Sequence, residues 1–150
     1  MRRLLIIFDG VRADRFAPLN LLRPSYFLRS GIVESWIHLK RCFSGYDLRF
    51  EAPAHLELMV KKHTGVSVND YDYQDYDRIV LINGALIPDP EFVRLVSSCE
   101  AGTAFISDGD LGAIVFAGDS KAARQYAKSE HTPSARAEFG SSLGAVSDFR

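Results

Sequence analysis

At 150 residues, with 47% hydrophobic and 25% charged side chains, the chain has the make-up of one ordinary globular domain with enough apolar material for a core. A net charge of -1 and a pI near 6.4 leave no cationic surplus, so nucleic acid is not an expected partner. No apolar run approaches the ~20 residues of a membrane span and nothing resembles a signal peptide, so a cytoplasmic protein without membrane contact is expected.

Arg3 to Asp9 is a continuous apolar run that closes on Asp9-Gly10, the pattern of a strand buried on both faces of a parallel sheet. Gly10 to Pro24 is polar and irregular, carries Arg12, Arg15 and Arg23, and reads as a long loop at that strand's carboxyl end. From Gly31 to Phe43, Ile32, Val33, Trp36, Ile37 and Leu39 fall close to helical spacing, and Ser44-Gly45 stops the helix. Asp47 to Ala52 is a short strand. Pro53 opens a helix with Leu56, Met59 and Val60 inward, ended by His63-Thr64-Gly65 and followed by a brief extended piece to Val68.

Asn69 to Asp77 alternates Asp70, Asp72, Asp75 and Asp77 with Tyr71, Tyr73 and Tyr76. It reads as an exposed acidic loop rather than a base-stacking surface, because carboxylates repel phosphates. Arg78 to Ile82 is the second buried strand, with Asn83-Gly84 as its turn. Pro88 to Ala101 is a helix with Asp89 and Glu91 at the positive end of its dipole. Thr103 to Ser107 and Leu111 to Phe116 flank Asp108-Gly109-Asp110, a hairpin signal. Asp119 to Lys128 is a further helix; beyond it Ser, Ala and Gly dominate without apolar period. The expected organisation is a domain over 1–128 with a flexible or peripheral tail over 129–150.

Cys42 and Cys99 lack metal-ligand spacing and read as buried, reduced thiols; His38, His55, His63 and His131 are scattered singly. Trp36 and Phe27 read as core. Strands alternating with helices predict an α/β fold, a mainly parallel Rossmann-like sheet flanked by helices, with a β-hairpin near 103–116. Ligands of such sheets bind in the crevice beyond the strands' carboxyl ends, where Asp9-Gly10 and Asn83-Gly84 both fall.

Arg12, Arg23 and Arg29 lie on or beside the loop after the first strand, with Gly10 and Gly31 permitting close backbone approach. The planar arginine fork matches phosphate oxygens, so this segment suits a nucleotide or sugar phosphate; solvated surface arginines are the alternative. A single glycine rules out a phosphate-binding loop of the glycine-rich types. The string Asp9-Gly10-Val11-Arg12-Ala13-Asp14 also looks like the first metal-binding segment of the alkaline phosphatase and sulfatase superfamily, though no later Asp/His metal cluster follows.

A longer resemblance runs from Pro18 to Ile32. There Arg23-Pro24, Leu28-Arg29 and Gly31-Ile32 are spaced as in sugar nucleotidyltransferases, specifically divergent relatives of the bacterial N-acetylglucosamine-1-phosphate uridyltransferase domain. His55 to Val60 with Thr64 to Asn69, Val80 to Pro88, and Ala101 to Phe116 are similar to successive pieces of that family in the same order. The resemblance implies transfer of a nucleotidyl group from a nucleoside triphosphate to a sugar 1-phosphate, with release of pyrophosphate and Mg²⁺ bridging the phosphates. On this view Arg12 and Arg23 act on phosphate oxygens as the catalytic residues. Asp9, Gly10 and Arg29 belong to the nucleotide and sugar-phosphate site, and Asn83-Gly84 borders the sugar phosphate.

The departures bear on catalysis. The family's glycine-rich Gly-Thr-Arg loop is mostly missing, and Arg23-Pro24 stands about where a Pro-Lys is usual. Asn83 occupies the position of a Mg²⁺-binding Asp, so the metal ligands are unassigned. Asp89 and Asp108 read as a helix start and a hairpin turn. The family's hexapeptide repeats are absent and the chain is shorter than a full catalytic domain, which suggests a truncated version. An oligomer or a separate hexapeptide-repeat chain is then the candidate partner. The alternative is a non-catalytic, nucleotide- or partner-binding remnant of the family; the third is a metal-dependent phosphatase or sulfatase-like hydrolase.

Overall fold

A computed structural model describes residues 1–9, 17–70, 72–107, 110–118 and 145–148. Strand β1 (Arg3–Phe8) is flanked by β4 (Asp47–Phe50) and β5 (Arg78–Asn83), both parallel to it. Beyond β5 lies β7 (Asp110–Ala117), antiparallel to β5 and to its hairpin partner β6 (Thr103–Ser107); β8 (Ala145–Asp148) closes the edge parallel to β6. The sheet order is β4-β1-β5-β7-β6-β8, and only β7 runs against the others. The mainly parallel α/β sheet and the hairpin are as the sequence predicts.

The unbroken apolar run of β1 follows from burial on both faces. Leu5 and Ile7 pack into a cluster with Leu39 of α1 (Ser35–Cys42), Val60 of α2 (Glu57–Thr64), and Phe92 and Val96 of α3 (Pro90–Ser98). Leu4, Ile6 and Phe8 point the other way, onto Ile79, Leu81, Ile114, Phe116, Tyr73 and Tyr76. Thus the described helices cover one face, and the Tyr-rich loop helps to cover the other.

In that loop Asp72, Asp75 and Asp77 are exposed as expected, but the described tyrosines are not. Tyr73 and Tyr76 are 4% and 8% exposed, and Tyr71 lies outside the described residues. The cause is two arginines supplied from elsewhere. The Arg2 and Arg49 guanidinium groups lie 4.6 and 5.3 Å from the Tyr76 ring centroid. Arg2 Nη2 donates to Asp47 Oδ2 at 2.9 Å, and Arg49 Nη1 donates to the Asp72 and Asp70 carbonyls at 2.6 and 3.1 Å. Within the loop itself, Arg2 Nη1 lies 3.6 Å from Asp75 Oδ2 and Arg49 Nη1 3.4 Å from Asp70 Oδ1, so two of its carboxylates are paired beside the buried rings. Gly118 completes the closure: a Cβ there would lie 1.4 Å from the Tyr76 carbonyl oxygen.

The helix expected from Gly31 begins only at Ser35. Residues before it form a tight hairpin of β2 (Arg29–Ser30) and β3 (Val33–Glu34), turning at Gly31 with φ +86°. Asp89 caps α3 by accepting from the Phe92 amide at 2.9 Å, which starts that helix at Pro90 rather than Pro88. Cys42 is exposed on α1 and Cys99 half-buried, so neither is the fully buried thiol expected; both are free. Trp36 is half-buried against the core, whereas Phe27 is inside it. The helix over 119–128 lies outside the described residues, as does the 129–150 stretch apart from β8.

Candidate functional site at the carboxyl ends of the strands

The parallel register brings three strand ends together. Phe8 of β1 pairs with Asn83 of β5, and Ile7 pairs with Phe50 of β4. The Gly84 amide then donates to the Phe8 carbonyl at 2.8 Å, and the Glu51 amide to the Ile7 carbonyl at 2.9 Å. Asp9, Glu51 and Asn83-Gly84 therefore stand side by side beyond the sheet.

One dipeptide fastens the described stretch that carries Arg23 to all three ends. Ser25 and Tyr26 open a buried 3-10 turn, Ser25–Phe27, directly after Arg23-Pro24. The Ser25 amide donates to Asp9 Oδ1 at 2.8 Å, and the Ser25 hydroxyl donates to the same oxygen. The Tyr26 hydroxyl donates to the Glu51 carbonyl at 3.0 Å. The Tyr26 ring lies against Gly84, where a Cβ would stand 2.4 Å from Tyr26 Cβ. The ring also stacks on Phe50 with centroids 5.2 Å apart. Burial first, then the charges of Asp9 and Glu51, push the Tyr26 phenol far above its usual range. Both carboxylates therefore bear on one point.

Of the predicted site residues, the structure brings Asp9, Asn83 and Gly84 together. Asn83 is committed to the turn: its Oδ1 accepts from the Ala85 amide at 2.9 Å and its Nδ2 donates to the Leu111 carbonyl at 3.2 Å. Gly84 lacks a side chain because Tyr26 fills that space. Arg23 is exposed two residues before Ser25, and Arg29 is exposed on β2. Arg12 and Gly10 lie outside the described residues. Sequence reasoning missed Ser25, Tyr26 and the buried Glu51, which is 4% exposed. A Glu directly after a strand, followed by Ala-Pro, was the available signal for the last; it was absorbed into the strand itself.

The sequence model of the sugar nucleotidyl transferases matches residues 5–146. The chain belongs to that family. Its fold is shared with a Bacillus anthracis chain, provisionally assigned as a glucose-1-phosphate thymidylyltransferase and solved in complex with a sucrose. That chain matches with a TM-score of 0.55 and 18% identity, over 99% of this chain and 87% of the other. No curated protein matches. The family match runs through the strands, the fastened arginine segment and the hairpin, and places the chain with the transferases rather than with the hydrolases that Asp9-Gly10 also resembles. No helix among the described residues is long and apolar enough to cross a membrane.

Proposed function

We propose that the chain is a sugar-1-phosphate nucleotidyltransferase that binds a nucleoside triphosphate and a sugar 1-phosphate in the crevice beyond β1, β4 and β5. The observation carrying this reading is the Ser25-Tyr26 dipeptide, which holds the segment with Arg23 at three strand ends at once. In this reaction a sugar phosphate oxygen attacks the α-phosphorus and pyrophosphate leaves. The protein's work is positioning and charge neutralisation. Arg23, and Arg12 earlier in the same segment between β1 and Ser25, meet phosphate oxygens. Asp9 is an acceptor only, so its partner is a ribose or sugar hydroxyl, a base N–H or a bound cation. Arg29 and Gly10 extend the same site.

A Mg²⁺ held mostly by phosphate oxygens and water asks the protein for one or two carboxylates. Asp9 and Glu51, the residues that follow β1 and β4, are of the right chemistry; the Asn83 side chain is already engaged on both of its polar atoms. Bound there, the ion would neutralise charge on the phosphates. The bound state of Asn83 also favours a second reading, a family member that binds nucleotide without turnover. A cytoplasmic setting, where nucleoside triphosphates are abundant, fits either reading.

Calorimetric titration with UTP and dTTP, with and without Mg²⁺, separates the two. Binding that requires Mg²⁺ supports the transferase, and binding indifferent to it supports the non-catalytic reading. Absence of binding to any nucleoside triphosphate overturns both.

A further inference from the structure

We infer that Ser25 is a positioning residue of the cleft, acting through Asp9 and setting the direction from which Asp9 meets a hydrogen-bond donor on the substrate. This rests on the function proposed above. Ser25 is 2% exposed, so its hydroxyl is not itself a substrate contact. Its two donors, the amide at 2.8 Å and the hydroxyl, converge on a single oxygen, Asp9 Oδ1. Two bonds to one oxygen from a rigid 3-10 turn fix the rotation of the carboxylate about both of its side-chain torsions. Hydrogen bonds to an ionised acceptor are the stronger kind, and such a group must be held closely to be useful.

The turn is itself immobilised, because the next residue is anchored on Glu51 and packed on Gly84. Ser25 therefore ties two groups of opposite duty into one geometry. Asp9 would accept from a ribose or sugar hydroxyl or a base N–H, while Arg23, two residues upstream, would face phosphate.

The test is a double-mutant cycle on the Kd for the nucleoside triphosphate bound by the wild-type protein, using Ser25→Ala, Asp9→Asn and the pair, with thermal midpoints alongside. By analogy with outer-shell partners that orient a liganding group, Ser25→Ala weakens binding roughly 10- to 100-fold. In the Asp9→Asn background the same change costs less than about threefold, because its effect passes through the carboxylate. Ser25→Cys keeps the side chain's branching with a larger atom that is only a weak donor, so it falls between wild type and Ser25→Ala and serves if Ser25→Ala does not fold. Wild-type affinity in Ser25→Ala or Ser25→Cys, or an equal cost in both backgrounds, overturns the inference while leaving the proposed function intact. A wild-type protein that binds no triphosphate overturns the proposed function, and this inference with it.

Discussion

Replacing Gly84 by Ala tests how the site is built. A methyl group there would stand 2.4 Å from Tyr26 Cβ, 2.8 Å from Tyr26 Cδ1 and 3.0 Å from Ile7 Cγ2. The first clash is with an atom attached directly to the backbone, so no side-chain rotation relieves it. The Ser25-Tyr26 segment or the end of β5 must move instead. Overpacking of this kind costs about 1–3 kcal/mol, and the backbone-linked contact puts Gly84→Ala at the upper end. For a domain of this size ~3 kcal/mol corresponds to a fall of roughly 6–12 °C in the melting midpoint. Gly45→Ala is the control, since nothing lies within 4 Å of its Cβ position. Urea denaturation of the two variants measures the difference directly. A Gly84→Ala protein within about 0.5 kcal/mol of wild type, the ordinary scatter of surface changes, would refute the close-packed account of Tyr26.

Tyr26→Phe leaves the Glu51 carbonyl without its donor and should cost about 1–3 kcal/mol in chemical denaturation. Because the Tyr26 phenol is pushed far above its usual range, folding favours its neutral form; stability should fall as pH rises past about 10, where the unfolded chain ionises. The Asp47 carboxyl is held below its ordinary value of 3.8, first by the hydrogen bond from Arg2 and then by one with Tyr76. Its contribution is therefore present above that pH and lost as pH falls through the lowered folded value. The gap in melting midpoint between wild type and Asp47→Asn should be small, since both partners are more than half exposed, and should close in acid. Exposed Cys42 should react with a thiol reagent in the native protein well before Cys99. The Cys99 sulfur is half-buried and lies 3.4 Å from the Val96 carbonyl and 3.6 Å from Arg78 Nη2, and peptide mapping would show the order.

The parallel core was legible because burial on two faces leaves a direct trace. Leu4 to Phe8 and Ile79 to Ile82 are apolar at every position, and each ends on turn residues that mark the strand's carboxyl end. The hairpin and the caps of α2 and α3 were legible for local reasons, in Asp-Gly, Gly65 and Asp89. Periodicity misled between Gly31 and Glu34. Ile32 fits a helical stripe yet is 91% exposed at the tip of a two-strand turn, because Gly31 adopts a left-handed conformation there. Burial of Tyr73 and Tyr76 depended on charges from Arg2 and Arg49, which no window around the tyrosines contains. The fastening of the site was hidden for the same reason. Ser25 reaches Asp9 across 16 residues and Tyr26 reaches Glu51 across 25, and neither pairing leaves a periodic signal. Sequence order located the crevice; the residues that shape it came together only in three dimensions.

The most direct test of the account is turnover. Pyrophosphate release should be measured with a panel of nucleoside triphosphates and sugar 1-phosphates in the presence of Mg²⁺, for the wild-type protein and for Arg23→Ala. The account predicts release that requires both substrates and falls by about 10²–10³ in the variant, the usual cost of deleting one well-placed group that stabilises transition-state charge. Release no greater than background with every pair, or full activity without Arg23, would contradict it.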